Sequence, residues 1–392
     1  MTRQAFLFTP DGFPVIRRSL LQLLRQAARS LILLPLVAGC RSGEAAQTSD
    51  GVIALGVGAI PGRPGYEGVT RGVQLAVARL NEEEGATFRM RLPDSGSTSA
   101  VQIAQQLRND PNVIAVVGHP ESGNTLEVLP IYEDAEHEGA NAVVAVSPTA
   151  SSPQLTGISP WFFRVAPSDD DAARYVADWV IDTMKAQRAA IVYRNDSYGR
   201  DWSTTFAAQF RSRGGMIAIR DPYLADITEW EAYARHVAEM RPDVLLFPGD
   251  APDALEFQRA LRAAGVTVPF IGGDGTEAMR DDPDSRGARL VAFYRVENAT
   301  SGEARTFVQR YRQKFGTDPD MFAALSYDAA LSIGRAVQSG ARTRPAIREA
   351  LERFGRNGVP PIEGAGGRIA FNTKHDVMGR TVVVAFARKD GE

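Results

Sequence analysis

Two stretches of this chain place hydroxyl side chains directly after a short apolar run, and two others place a carboxylate there. Gly118-His119-Pro120-Glu121-Ser122-Gly123-Asn124-Thr125 follows the run Val113–Val117 and precedes a helical segment through about Glu136. A hydroxyl and free N–H groups at a helix start suit an anion, because the donors and the helix dipole point the same way. Equally, Ser122 could be an ordinary N-cap whose oxygen accepts from the first turn. Ser147-Pro148-Thr149-Ala150-Ser151-Ser152-Pro153 follows the run Val143–Ser147, so Thr149 and Ser151 stand at a second such exit. Further on, Phe247-Pro248-Gly249-Asp250 and Ile271-Gly272-Gly273-Asp274-Gly275 put an Asp just beyond each of two runs. An Asp in such a place is commonly a local turn former, but two together could hold an ammonium group. Tyr198-Gly199, after Ala190–Tyr193, adds an aromatic ring with a polar tip. Asp169-Asp170-Asp171 fits a helix start, where acidic residues complement the dipole.

The catalytic alternatives lack their scaffolds. Gly56-Val57-Gly58-Ala59-Ile60-Pro61-Gly62 has the spacing GxGxxxG, and Pro61 interrupts the turn; a dinucleotide fingerprint needs GxGxxG directly between strand and helix. There is no GxSxG elbow for a serine hydrolase. One cysteine and four histidines exclude a disulfide framework and a multi-cysteine metal site, and no histidine pair has metal-ligand spacing. Hydroxyls on one side and carboxylates on the other describe a binding site with no base–nucleophile couple and no cofactor.

The chain that must position these groups has 392 residues, 44% apolar and 23% charged, with a net charge of -3. At about 150 residues per domain this predicts two or three domains, with enough chain to bury a core unaided. A charge near zero argues against a nucleic-acid partner held by phosphates. Arginines number 40 and lysines four, so a single Arg says little about function. Residues 1–39 hold five Arg and one Asp, then the run Leu31–Ala38 before Gly39-Cys40. A basic start, a short apolar stretch and small residues describe a secretory leader, and the run is far short of the ~20 residues that span a bilayer. Residues 41–50 are small and polar, as in a flexible tether. Without residues 1–39 the chain has 39 basic and 46 acidic residues, a net of -7.

From Val52 onward, apolar runs of four to eight residues alternate with amphipathic segments: Val52–Ala59, Val113–Val117, Val143–Ser147, Ala190–Tyr193, Val244–Phe247 and Val268–Ile271. Such runs predict strands buried on both faces. Between them, Val69, Val73, Ala76, Val77 and Leu80 share a helical face, as do Ala100, Ile103, Ala104 and Leu107. A third helix has Pro252 near its start and Gly265 just past its end. The alternation predicts an α/β fold of βαβ units with parallel sheets. One series ends at Trp161–Pro167 and a second opens at Ser168 and runs to about Val296, which suggests two lobes. Long helical segments follow over Glu303–Phe315, Phe322–Val337 and Ala341–Phe354, and then two strand-like runs, Gly367–Phe371 and Thr381–Arg388, that could pair as a hairpin.

The ordered landmarks resemble the type I periplasmic solute-binding proteins, specifically the branched-chain amino-acid (Leu/Ile/Val) binding family of ABC importers. They are Gly72–Ala76 ahead of Asn81, Val117-Gly118-His119 through Ser122, Pro130–Asp134, Ser147-Pro148 with Pro153-Gln154-Leu155, Phe163-Arg164, Tyr198-Gly199, Gly272–Gly275 and Ser326–Ala330. The resemblance covers essentially all of residues 51–392 and implies two Rossmann-like lobes joined by three hinge crossings. The lobes expected from it are 51–167 with 297–363, and 168–296 with 364–392. Val37-Ala38-Gly39-Cys40 likewise resembles the lipobox of bacterial lipoproteins, which implies a diacylated Cys40 after a leader of 1–39, a tether over 40–50 and a body facing the periplasm or the cell exterior.

Carried over residue by residue, the resemblance implies that Ser122, Thr149 (through its backbone) and Ser151 bind a ligand α-carboxylate. It implies that Tyr198 contacts the bound amino acid, that Asp274 takes the ammonium where many relatives have Glu, and that Phe322 lies near the side-chain pocket, with Tyr66 near a first-loop tyrosine. Asp250 departs from the family, standing where the leucine-binding branch has an aromatic, Glu121 replaces a cysteine that is disulfide-bonded in some relatives, and Ala172 replaces a common polar residue. A carboxylate facing the pocket without a partner costs several kcal/mol, which favours a polar or cationic amino acid, or an amide, over an aliphatic one. The expected function is a lipid-anchored receptor that closes on a small amino-acid-like ligand for an ABC permease. The alternative is a lipoprotein that reuses this fold to regulate a sensor kinase or a cell-wall synthase, which would leave the cleft filled or indifferent to ligand.

Overall fold

A computed structural model describes residues 51–224 and 229–387. The expected leader, Cys40 and the tether lie outside the described residues.

The first series builds β1 (Val52–Gly58), α1 (Tyr66–Leu80), β2 (Thr87–Arg91), α2 (Ala100–Asn109), β3 (Val113–Gly118), α3 (Ser122–Tyr132), β4 (Val144–Ser147) and β5 (Phe162–Arg164). Its sheet has the order β2-β1-β3-β4-β5, parallel throughout. All of β3 and β4, and all of β1 after its first residue, are buried, as continuous β-branched runs require when helices cover both faces. The second series repeats the plan with α4 (Asp169–Met184), β6 (Arg188–Arg194), α5 (Ser197–Ser212), β7 (Met216–Tyr223), α6 (Trp230–Met240), β8 (Val244–Phe247), α7 (Ala251–Ala263), β9 (Phe270–Gly272) and β10 (Arg289–Ala292). After α8 (Gly302–Phe315), α9 (Met321–Gln338) and α10 (Arg344–Leu351) come three short strands, β11 (Ile362–Gly364), β12 (Gly367–Ile369) and β13 (Val383–Phe386).

The two strand-like runs near the end of the chain do not pair with each other. β12 pairs with β11, and β13 joins the second sheet as an antiparallel edge on β10. That sheet has the order β13-β10-β9-β8-β6-β7, parallel apart from β13. In both sheets the second strand turns outward and the third returns past the first. Each therefore has a topological switch point, between β1 and β3 and between β6 and β8, where open α/β sheets gather ligands.

α9 packs along α1 at glycine-permitted distance. A Cβ at Gly72 would lie 2.2 Å from the Ala323 carbonyl oxygen, and one at Gly334 would lie 2.3 Å from Leu80 Cδ1. This contact fixes the start of α9, which carries Met321 and Phe322. After β12 the chain remains with the first sheet as far as Asp376. Arg164 Nε donates to Asp376 Oδ1 at 2.6 Å, the Arg164 N–H donates to the His375 carbonyl at 3.2 Å, and the His375 ring stacks on Phe163 at 4.1 Å. Only the stretch between Asp376 and β13 passes to the second sheet. There the buried side chain of Arg380 donates to the buried carboxylate of Asp328 on α9 at 2.6 Å.

Candidate functional site

The loops leaving the two switch points meet around a cavity of about 400 Å³. Ser122, Thr149, Ser151, Tyr198, Asp250, Asp274 and Phe322 all line it. Tyr66 is not among the lining residues, although its loop contributes Ile60, Arg63 and Pro64.

On the wall of the first sheet, α3 begins without a side-chain cap: its N-cap residue is Glu121, whose carboxylate makes no hydrogen bond to the first-turn N–H groups. Ser122 is the first helical residue, so it does not cap the helix. Its Oγ instead accepts from the backbone N–H groups of Ser151 and Ser152, at 3.2 and 3.1 Å. A serine hydroxyl has two acceptor lone pairs and one proton. With both lone pairs engaged, Ser122 has only its O–H to offer, and it lies on the cavity wall beside Gly123 and Asn124. An O–H donor at an uncapped helix N-terminus is an environment for an anion.

The other hydroxyls hold this wall together. Thr149 Oγ1 donates to the Pro120 carbonyl at 2.8 Å, and Ser147 Oγ and Thr125 Oγ1 both donate to the His119 carbonyl. Behind them the buried Arg164 donates from Nη1 to the carbonyls of Ser151 and Ser152, at 2.9 Å each. The Ser151–Ser152 loop is therefore fixed on both sides, by Ser122 in front and Arg164 behind.

On the wall of the second sheet, Asp274 opens the short helical turn after β9 and is buried, with 4% of its surface exposed. Its Oδ1 accepts from the Tyr198 hydroxyl at 3.0 Å and from Trp202 Nε1 at 3.1 Å. Burial pushes the carboxyl up to about 6, against the pull of Tyr198 and Trp202. The Tyr198 hydroxyl also accepts from the Gly275 N–H at 3.1 Å, which fixes the ring over the turn. Asp169, the first residue of α4, is fully buried, and neither of its carboxylate oxygens has a hydrogen-bond partner among the described residues. Burial first and the nearby Asp274 second raise its pKa well above the carboxylate range, with Ser151 and Arg164 pulling the other way. Two neighbouring buried carboxyls, which burial and mutual repulsion push toward protonation, form an environment in which a cation would stabilise the ionised form.

Trp202, Arg194 and Glu121 join the expected residues at the site, and Asp169 does more there than start a helix. Trp202 stands four residues after Tyr198, on the same face of α5, and that spacing was its signal. Asp169 was concealed among three consecutive acids: a dipole role suits all three equally, but only Asp169 is fully buried. Arg194 ends β6 and donates to Asp250 Oδ2, and its Nε lies 3.2 Å from Asp196 Oδ2. The carboxylate of Asp250 that faces the cavity is therefore partnered, unlike the unpaired acid the sequence suggested.

The periplasmic binding protein family matches residues 61–392 of the chain. An amino acid binding protein of Pseudomonas aeruginosa is 24% identical over 291 residues, covering 73% of this chain and 74% of its own length. Among solved structures, the leucine binding protein LivK of Thermotoga maritima is similar at a TM-score of 0.77 and 23% identity, over 87% of this chain and 96% of its own. An ABC transporter substrate-binding protein from Desulfitobacterium hafniense, solved in complex with Leu, is similar at a TM-score of 0.72 and 26% identity, over 87% and 98% of the two chains.

Proposed function

The chain belongs to the periplasmic binding protein family, in the branch that includes leucine-binding proteins, and from that premise we propose that it is an extracytoplasmic receptor which binds a free amino acid between two lobes and presents it to an ABC permease. The observation that supports this most is the opposition of two unlike poles across one cavity. The Ser122 hydroxyl and the uncapped start of α3 receive the α-carboxylate, and Asp274, braced by Tyr198 and Trp202, receives the α-ammonium. Ser151 and the Thr149 backbone complete the first pole, Asp169 adds to the second, and Phe322 packs against the ligand side chain. The lobes follow the two sheets, with the third crossing placed between Asp376 and Val383. Closure of the lobes on the ligand is a hinge motion about the three crossings. The lipobox-like Val37–Cys40 supports a lipid anchor. A cavity lined by the residues of both poles supports a receptor over a regulator whose cleft is filled by its own side chains.

Thermal shift of the purified protein against a panel of amino acids, amides and small carboxylates tests the proposal. A ligand at about 100 times its dissociation constant adds about 2.7 kcal/mol of stability. Ser122→Ala and Asp274→Ala should each weaken binding by about tenfold or more, since each removes a hydrogen bond to a charged group worth about 1.5–3 kcal/mol. No shift with any compound, or unchanged affinity in both variants, would overturn it.

A further inference from the structure

The two poles use the parts of the cavity near Ser122 and Asp274, and the remaining wall is charged. Asp250 occupies the N-cap position of α7, where an aspartate ordinarily folds back onto the first-turn N–H groups. It makes no such bond. Its Oδ2 accepts from Arg194, its Oδ1 has no hydrogen bond among the described residues, and its side chain is 47% exposed on the cavity lining. Glu121 repeats the pattern from the opposite wall: an acid at the N-cap position of α3 that does not cap, with Oε2 accepting from the Asn124 side-chain amide at 3.0 Å and Oε1 unengaged among the described residues.

The charges do not balance. Glu121, Asp196, Asp250 and Asp274 face two guanidinium groups, Arg63 and Arg194, across the lining. Arg194 has little positive field to spare, because two of those carboxylates already flank it. A zwitterionic amino acid is neutral overall and leaves this excess untouched. A hydrocarbon side chain would strip water from the two free carboxylate oxygens and offer nothing in return, at several kcal/mol. An acidic side chain would add to the repulsion. Among amino-acid side chains, only one that carries a second positive group relieves it.

We propose that the ligand is a basic amino acid, and that Asp250 and Glu121 receive the ammonium or guanidinium at the end of its side chain. This specifies the ligand of the amino-acid site above and rests on that reading. Isothermal titration calorimetry of the purified protein near neutral pH, with L-lysine, L-ornithine, L-arginine, L-leucine and L-glutamate, tests it. At least one basic amino acid should bind about tenfold or more tighter than leucine and glutamate, and Asp250→Asn and Glu121→Gln should each erode that margin by about tenfold by deleting one charge. Both substitutions keep shape, and unchanged melting temperatures would show that the fold survives. The inference is overturned if leucine or glutamate binds as tightly as every basic amino acid, or if neither variant changes the preference. If leucine binds and Ser122→Ala abolishes its binding, the amino-acid reading survives and only this inference fails. If no amino acid binds at all, both fail.

Discussion

Asp274 is where the chemistry of single residues is most exposed to test. Its carboxyl is buried and pushed up to about 6, so near neutral pH it is mostly ionised and attracts a cation. As pH falls through 6 it takes a proton and that attraction is lost. A bound ammonium favours the ionised form and draws the pKa down again, so binding near pH 6 must release a proton. Affinity should therefore weaken as pH falls below about 6, by up to about tenfold per unit, as linkage requires. Calorimetry in buffers of different ionisation enthalpy measures both the affinity and the released proton. Asp274→Asn should remove the loss centred near pH 6, and no weakening on the acid side in the native protein would show that the ammonium is held elsewhere. The residue types of both poles were legible in the sequence, because hydroxyls and acids stood at strand exits. Their states were not. That Ser122 has only its proton left to give depends on Ser151 and Ser152, about thirty positions away. That Asp250 is paired depends on Arg194, one arginine among 40.

Elements were legible in proportion to their burial. β1, β3, β4, β6 and β8 lie almost wholly inside, and their apolar runs announced them. β2 and β7 sit at sheet edges with most of their residues in contact with solvent, so β2 lacks such a run, and the short one that opens β7 (Met216–Ile219) gives way to Arg220-Asp221-Pro222. Pairing was less legible still, since β13 finds its partner β10 some ninety residues back along the chain. The contact between α1 and α9 shows how one element can hold another at the site. Gly72 in α1 faces the Ala323 carbonyl so closely that a Cβ would come within 2.2 Å of backbone. Gly72→Ala should gain about 1 kcal/mol of helix propensity, but backbone atoms cannot yield as a flexible side chain does, and the strain of overpacking is about 1–3 kcal/mol or more. A net loss of stability is therefore expected, read as a lower urea midpoint, together with weaker ligand binding as the start of α9 and Phe322 move away from the cavity. A midpoint equal to or above that of the native protein would mean that the two helices are not held at this distance.

At the scale of the whole molecule, the cleft works only if its two sides are held together when ligand is present and can part when it leaves. Three bonds join the two sides directly, without a ligand between them. Ser152 Oγ, in the loop after β4, donates to Asp201 Oδ2 on α5 at 2.5 Å, and Gln154 Nε2 donates to both oxygens of the same carboxylate, at 3.2 and 3.0 Å. Ser152 is fully buried and belongs to the loop that Ser122 and Arg164 hold in place. Asp201 therefore links the loop that Ser122 holds, after β4 of the first sheet, to the helix that carries Tyr198 and Trp202 beside the second. Hydrogen bonds to a charged group are worth about 1.5–3 kcal/mol net, so Asp201→Ala should disfavour the closed form by about 2 kcal/mol. A ligand that needs closure then loses about thirtyfold in affinity, by the relation of 1.4 kcal/mol to a factor of ten. The open form still admits ligand, so the association rate should change little and the loss should appear in the dissociation rate. Stopped-flow kinetics separates the two, and small-angle scattering of the ligand-bound variant should show a larger radius of gyration than the ligand-bound native protein. Unchanged dissociation would mean that the ligand alone holds the lobes closed, and that the link from Asp201 to Ser152 forms as a consequence of closure without contributing to it.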